Sequence, residues 1–295
     1  MGRVGVDLYP NEVRTPLREQ RTFTRFVGGF AGNVATGLAR LGVKTAIVSR
    51  VGAEGNGEFV RDFLALECVD VRFLAVDPFW QTPPTFIEVW PPDRFPITFY
   101  RKPTVPDWQL APEDFDLEEV AAAPLLYATG TGLAQSPSRE TTLEALRAHR
   151  GTTIFDLDWR PSLWAPPDDY PALVAEALAA CDVAIGNEEE VEAAGGPAAV
   201  LERCGTLVLK RGERGAMVMS GAGTVEVPGR RVDVLNGLGA GDAFAAALGQ
   251  ALRRGLSVEE GARRGNVAGS LVVTRLPCSE AMPTLGELEA ALTDS

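Results

Sequence analysis

Leu235-Asn236-Gly237-Leu238-Gly239-Ala240-Gly241-Asp242-Ala243-Phe244 sets three glycines within five residues directly ahead of a carboxylate and a helix. Phe244, Leu248, Ala251 and Leu252 recur at helical spacing, and Arg253-Arg254-Gly255 supply a stop. Gly239 to Asp242 therefore stand at a helix N-terminus. Its free N–H groups and positive dipole favour an anion there. Asp242 beside such an anion hole repels a passively bound phosphate. It suits a general base that takes a proton from a hydroxyl attacking the anion. A P-loop needs a Lys-Ser/Thr pair that is absent, and a dinucleotide fingerprint needs Gly or Ala where Asp242 stands. A capped glycine turn explains Asp242 but not three glycines.

Working outward, strand-like and helix-like runs alternate, which predicts an α/β fold with a mostly parallel sheet. The strand-like runs are Thr45–Val48, Leu125–Ala128, Thr153–Asp156, Val183–Ile185 and Leu207–Leu209. Phe30, Val34, Leu38 and Leu41 mark a helix before Gly42. Polar loops follow strand ends at Asp156, Gly186 and Lys210, and ligands in open α/β sheets bind at the carboxyl ends of strands. These loops and the 239–242 turn are expected to converge on one site.

Two regions break the alternation, residues 8–27 and 78–108. Within the second, Thr85–Trp90 and Ile97–Tyr100 are expected to pair as a small antiparallel sheet, serving as a lid or a dimer surface. The reading is one domain over 1–295 with that lid subdomain.

The 295 residues carry a net charge of −12, which argues against a nucleic-acid partner. No apolar run reaches membrane-span length and no signal peptide opens the chain, so a cytoplasmic protein is expected. Four cysteines, none in a C-x-x-C pair, fit buried thiols in a reducing compartment. The single histidine, His149, sits at an expected helix C-terminus. Proton transfer then falls to carboxylates, Lys, Tyr or Cys.

Other polar clusters each admit two readings. Asn33, after Val27-Gly28-Gly29-Phe30-Ala31-Gly32, either reaches a substrate hydroxyl or bonds the backbone. Asp156 and Asp158 fall on one side if their strand continues, with Arg160 either binding a carboxylate or phosphate or forming a plain Asp–Arg pair. Asn187 and Glu190 either hold Mg²⁺ through water or simply favour a first helical turn. Lys210-Arg211-Gly212-Glu213-Arg214-Gly215 is either a phosphate cradle or a hairpin turn. Asn266, among small neighbours, leaves room for a flat ring.

Together these motifs resemble the ribokinase-like (PfkB) carbohydrate kinases over nearly the whole chain. Gly28 to Ala35 and on to Gly42 match the family's first signature, and Asn236 to Asp242 match part of the second. The resemblance implies a three-layer α/β/α core with an antiparallel lid, and ATP-dependent phosphorylation of a primary hydroxyl. It implies Asp242 as base with Gly239, Ala240 and Gly241 as anion hole, and Mg²⁺ organised by Asn187 and Glu190. Lys210, Gly212, Gly215 and Asn266 would border the nucleotide. Asp7, Gly29, Asn33 and Asp158 would line the sugar site, and Arg160 with Tyr100 and Arg101 would face a carboxylate.

Gly2 to Tyr9, Arg94 to Arg101, Phe155 to Trp164 and Pro277 to Thr284 are similar to the branch acting on 5-dehydro-2-deoxygluconate in inositol catabolism. The alternatives are 2-keto-3-deoxygluconate, a neutral sugar as in fructokinases and ribokinases, or a non-catalytic sugar sensor. A homodimer through the lid is expected by analogy alone. Three departures stand out. Asn236-Gly237 replaces Asp-Thr, which puts K⁺ activation in doubt. Leu276-Pro277 replaces His-Gly. Met1-Gly2-Arg3 falls inside the family's first strand, so either that strand is short or the start codon lies elsewhere.

Overall fold

The computed structural model describes residues 1–164 and 169–293. Its strands are β1 (Gly5–Pro10), β2 (Phe23–Gly28), β3 (Ser49–Gly52), β4 (Leu74–Asp77), β5 (Pro84–Ile87) and β6 (Ile97–Phe99). They continue as β7 (Leu125–Thr129), β8 (Thr152–Asp156), β9 (Val183–Asn187), β10 (Thr206–Lys210), β11 (Ala216–Ser220) and β12 (Gly223–Val227). The helices are α1 (Phe30–Arg40), α2 (Gly55–Leu66), α3 (Leu117–Ala121), α4 (Ser138–Ala148) and α5 (Asp169–Leu178). Then come α6 (Glu188–Ala193), α7 (Gly196–Arg203), α8 (Ala240–Arg253), α9 (Val258–Val272) and α10 (Leu285–Thr293).

The main sheet has the order β12-β11-β10-β9-β8-β7. Strands β7 to β10 are parallel, while β11 and β12 add an antiparallel margin. Period-two alternation buries both faces. Tyr127, Ile154, Ile185 and Val208 face α1, α8 and α9 in one apolar cluster. Leu126, Phe155, Ala184 and Leu207 lie in a second cluster with Leu146, Val174 and Val200 from α4, α5 and α7. The result is the expected α/β/α layering.

Four of the five expected strands form. Thr45–Val48 does not: it makes an isolated bridge at Ala46, and the strand begins at Ser49. β3 pairs in parallel with β4, separate from the main sheet. Between them, the amino group of Met1 donates to the Tyr127 carbonyl at 2.8 Å, and Gly2 N donates to the Val48 carbonyl at 3.3 Å.

The lid sheet has the order β2-β1-β5-β6. β5 and β6 form the expected antiparallel pair. β1, which carries Asp7, is itself part of this sheet, parallel to β5 and antiparallel to β2. Asp7 is therefore carried by the same sheet as the lid strands. A small cluster of Tyr9, Ile87, Val89 and Cys278, with Phe26, Phe95, Leu238 and Leu276 against it, welds this sheet to the loop before α8. Among the described residues no helix is long and apolar enough to cross a membrane.

Candidate active site

A cleft of about 1000 Å³ opens where the carboxyl ends of β8, β9 and β10 meet the N-terminus of α8. Asp156, Asn187, Lys210, Gly239 to Asp242 and Asn266 all line it, so the loops converge as expected. Gly239 caps α8 at φ 83°, the left-handed region glycine tolerates, and a Cβ there would stand 3.1 Å from the Cys278 side chain. The first helical bond runs from Ala243 N to the Gly239 carbonyl, at 2.9 Å. The N–H groups of Ala240, Gly241 and Asp242 precede that bond and so lie outside the helical ladder, at a helix end where an anion is favoured.

Asp242 accepts a 2.6 Å hydrogen bond from Asn33 Nδ2. Burial raises its pKa from 3.8 to about 6; the Asn33 bond, Arg3 and Lys210 pull it down, and Asp158 pushes it up. The Asn33 amide nitrogen thus bonds Asp242 rather than the backbone, and its buried Oδ1 has no partner among the described residues. Burial likewise raises Asp7 to about 7, against Arg3 and with the help of Asp242. The close approach of Gly28 makes room for this carboxylate, because a Cβ at Gly28 would fall 2.1 Å from Asp7 Cγ. Gly29 is the N-cap of α1.

Lys210 Nζ lies 3.1 Å from Asp156 Oδ2 and 3.9 Å from Glu190 Oε2. A Cβ on Gly241 would be 3.4 Å from the same ammonium, so Lys210 also stands beside the head of α8. Burial lowers the Lys210 pKa, but the two carboxylates outweigh it and hold the group protonated above its ordinary value. Gly212 and Gly215 close the β10–β11 loop, with Arg211 N donating to the Gly215 carbonyl at 2.8 Å. Asn266 Nδ2 donates to the carbonyls of Val227 and Pro228, at 3.2 and 2.9 Å.

Several expectations need correction. Strand β8 ends at Asp156, and Asp158 turns into the left-handed region at φ 37°, its N–H donating to Asp156 Oδ1. The two carboxylates are therefore not a strand-alternation pair. Arg160 is not a free cation: it lies 3.0 Å from Asp158 Oδ1 and 3.1 Å from Glu190 Oε1, and donates to the Trp159 carbonyl at 2.9 Å. Burial would raise Asp158, but Arg160 and Arg3 outweigh it and lower its pKa.

Asn187 and Glu190 form a capping box on α6, the side chain of each accepting the other's N–H at 2.9 and 2.8 Å. Among the described residues no group of three His, Cys, Asp or Glu side chains is placed to hold a metal directly. Arg101 is buried against Asp107, its guanidinium over the Trp108 ring and outside the cleft lining. Tyr100 is exposed against Phe86, outside the cleft lining. The residue that sequence reasoning passed over is Arg3, which bonds Asp158 Oδ2 at 3.4 Å and bears electrostatically on Asp7 and Asp242.

The departures before the anion hole have structural causes. Asn236 is fully buried; its Nδ2 donates to the Leu276 carbonyl at 2.6 Å and to the Tyr9 hydroxyl at 3.3 Å, while its Oδ1 accepts from Leu238 N. A neutral amide thus stands where the family's usual carboxylate would, and it brings a donor rather than a negative charge to the Leu276 carbonyl. Gly237 lies under the lid's Phe95 ring, where a Cβ would come within 2.9 Å.

The profile of the pfkB family carbohydrate kinases matches residues 1–285. The chain is 33% identical to the 5-dehydro-2-deoxygluconokinase of Bacillus subtilis, covering 98% of this chain and 93% of that protein. It is also 33% identical to the one of Geobacillus kaustophilus, over 98% and 91%. Among solved structures, the fructokinase of Vibrio cholerae with fructose, ADP and calcium superposes with a TM-score of 0.88 at 27% identity, covering 99% and 97%. The PfkB protein of Polaromonas superposes with a TM-score of 0.83 at 27% identity, covering 98% and 97%. With the Gly-Ala-Gly-Asp turn built onto this cleft, the chain belongs to the pfkB family of carbohydrate kinases and is an ATP-dependent sugar kinase.

Proposed function

We propose that the enzyme transfers the γ-phosphoryl group of ATP to the primary hydroxyl of a small sugar acid, 5-dehydro-2-deoxygluconate. One observation carries the chemistry: the Asp242 carboxylate sits at the head of α8, directed by Asn33, with a pKa of about 6. That value leaves it ionised at neutral pH yet basic enough to accept a proton late in phosphoryl transfer. The hydroxyl oxygen bonds to the γ-phosphorus as its proton passes to Asp242 and the bond to the ADP oxygen breaks. The N–H groups of Ala240 to Asp242 and the Lys210 ammonium meet the charge on the moving phosphoryl group. Asp7 and the Oδ1 of Asn33, which has no partner among the described residues, are the acceptors offered to sugar hydroxyls.

Mg²⁺ would enter with ATP and neutralise phosphate charge. Glu190 fits it only through water, because its oxygens already accept from Arg160 and the Asn187 N–H. The acceptor is read from the full-length relatives whose names give that substrate. It is also read from Arg3, whose guanidinium beside Asp158 keeps donors for a further anion. A coupled ADP-release assay over a panel of sugar acids and neutral sugars tests it. The expected result is highest kcat/KM for 5-dehydro-2-deoxygluconate. A preference for fructose or ribose would refute the acid reading.

A further inference from the structure

We propose that Arg3 is the specificity-determining residue that receives the carboxylate of the acceptor sugar. The proposal rests on the sugar-acid reading above and assigns it to a residue.

Three guanidinium groups gather around the sugar side. Arg160 directs three N–H donors to Asp158, Glu190 and the Trp159 carbonyl. Arg101, whose Nε also lacks an acceptor among the described residues, is buried between Asp107 and the Trp108 ring. Among the described residues Arg3 makes one ion pair, the 3.4 Å contact to Asp158, although a guanidinium carries five N–H donors. Its Nε is buried and finds no acceptor among the described residues. An unanswered buried donor of this kind is a cost unless something binds it.

The placement is also fixed. The Arg3 carbonyl accepts from Ala31 N at 3.0 Å, at the start of α1. Val4 N donates to Asp107 Oδ2 at 3.0 Å. The guanidinium carbon stands 5.5 Å from the centre of the Phe99 ring of β6, which sets the side chain between core and lid. Such backbone clamping on both sides holds a binding group without loss of freedom on association.

Charge explains why a cation is needed there. Asp7, Asp158 and Asp242 crowd the sugar side, and Arg3 acts electrostatically on all three. A carboxylate substrate adds a fourth anion, which an uncommitted planar fork can pair in bidentate fashion. A neutral sugar has no such requirement. Arg3 therefore separates acids from neutral sugars, while Arg160 belongs to the Glu190 side of the cleft.

The test compares wild type, Arg3→Gln and Arg3→Lys on the sugar acid and on its matched analogue bearing a hydroxymethyl group in place of the carboxylate. The readout is the ratio of the two kcat/KM values, with KM for ATP followed alongside. Arg3→Gln is expected to lower the ratio by about tenfold or more, mainly through KM for the acid, and Arg3→Lys to fall between. An equal loss on both substrates in both variants would mean a structural role and overturn the proposal. So would an acid preference that survives Arg3→Gln. A wild-type enzyme that accepts neutral sugars and no acid overturns the sugar-acid reading itself, and Arg3's role with it.

Discussion

Asn33→Ala removes the hydrogen bond that tunes the base, together with the Oδ1 acceptor, whose loss lowers kcat/KM at every pH without moving its midpoint. The Asn33 amide donates to Asp242 at 2.6 Å and favours the charged carboxylate, so removing it favours the protonated form and raises the pKa. A bond to a charged acceptor contributes about 1.5–3 kcal/mol, and one pKa unit corresponds to about 1.36 kcal/mol. Loss of the bond thus moves Asp242 from about 6 to roughly 7–8, with water entering the gap holding it near the lower figure. At pH 7.5 a base of pKa about 6 is about 97% ionised, whereas one near 7.5 is roughly half ionised.

The assay is kcat/KM for the sugar against pH at saturating ATP, because that ratio reports the groups of the enzyme before sugar binds. The acid limb should shift upward by about one unit or more, with much of the lost rate recovered at alkaline pH. Asp7, at about 7, titrates in the same range, so the midpoint belongs to the pair. Asn33 bonds Asp242, not Asp7, so the shift still reports the base. A midpoint that stays within about 0.3 unit of wild type, or moves down, would refute the tuning argument.

Two further outcomes follow from the loop before α8. Gly237→Thr forces a side chain into the Phe95 ring, and overpacking of this kind costs about 1–3 kcal/mol. KM for the sugar should rise about tenfold with KM for ATP little changed, and adding Phe95→Ala should recover part of it; no change in either constant would deny the lid contact. Because the Asn236 amide occupies the Leu276 carbonyl, replacing K⁺ by tetramethylammonium at constant ionic strength should leave kcat/KM within about twofold. Activation by K⁺ of more than about fivefold would contradict that account.

What the sequence revealed depended on whether the signal was local. The anion-hole turn, the strand ends at Asp156 and Lys210, and helix α1 were legible because glycines, apolar periodicity and caps act within a few residues. Thr45–Val48 is as apolar as its neighbours, but a strand also needs a partner ladder, which begins only at Ser49. Asn187 and Glu190 show why spacing alone misleads: the same three-residue interval serves a metal turn and a capping box. The sequence alone makes Arg101 a lid cation because Asp107, against which it is buried, reaches it through the fold of a loop. Arg3 was missed because its partner, Asp158, lies 155 residues away.

Asp242→Asn tests the central claim most directly, with kcat and ATP affinity measured on the same preparation. The substitution keeps the size of the side chain and an oxygen acceptor for Asn33 while removing the basic carboxylate. A positioned general base contributes about 10²–10⁴-fold, so kcat should fall by about three orders of magnitude with the dissociation constant for ATP within a few-fold of wild type. Turnover retained within about tenfold, or loss of ATP binding along with activity, would contradict the assignment of Asp242 as the base.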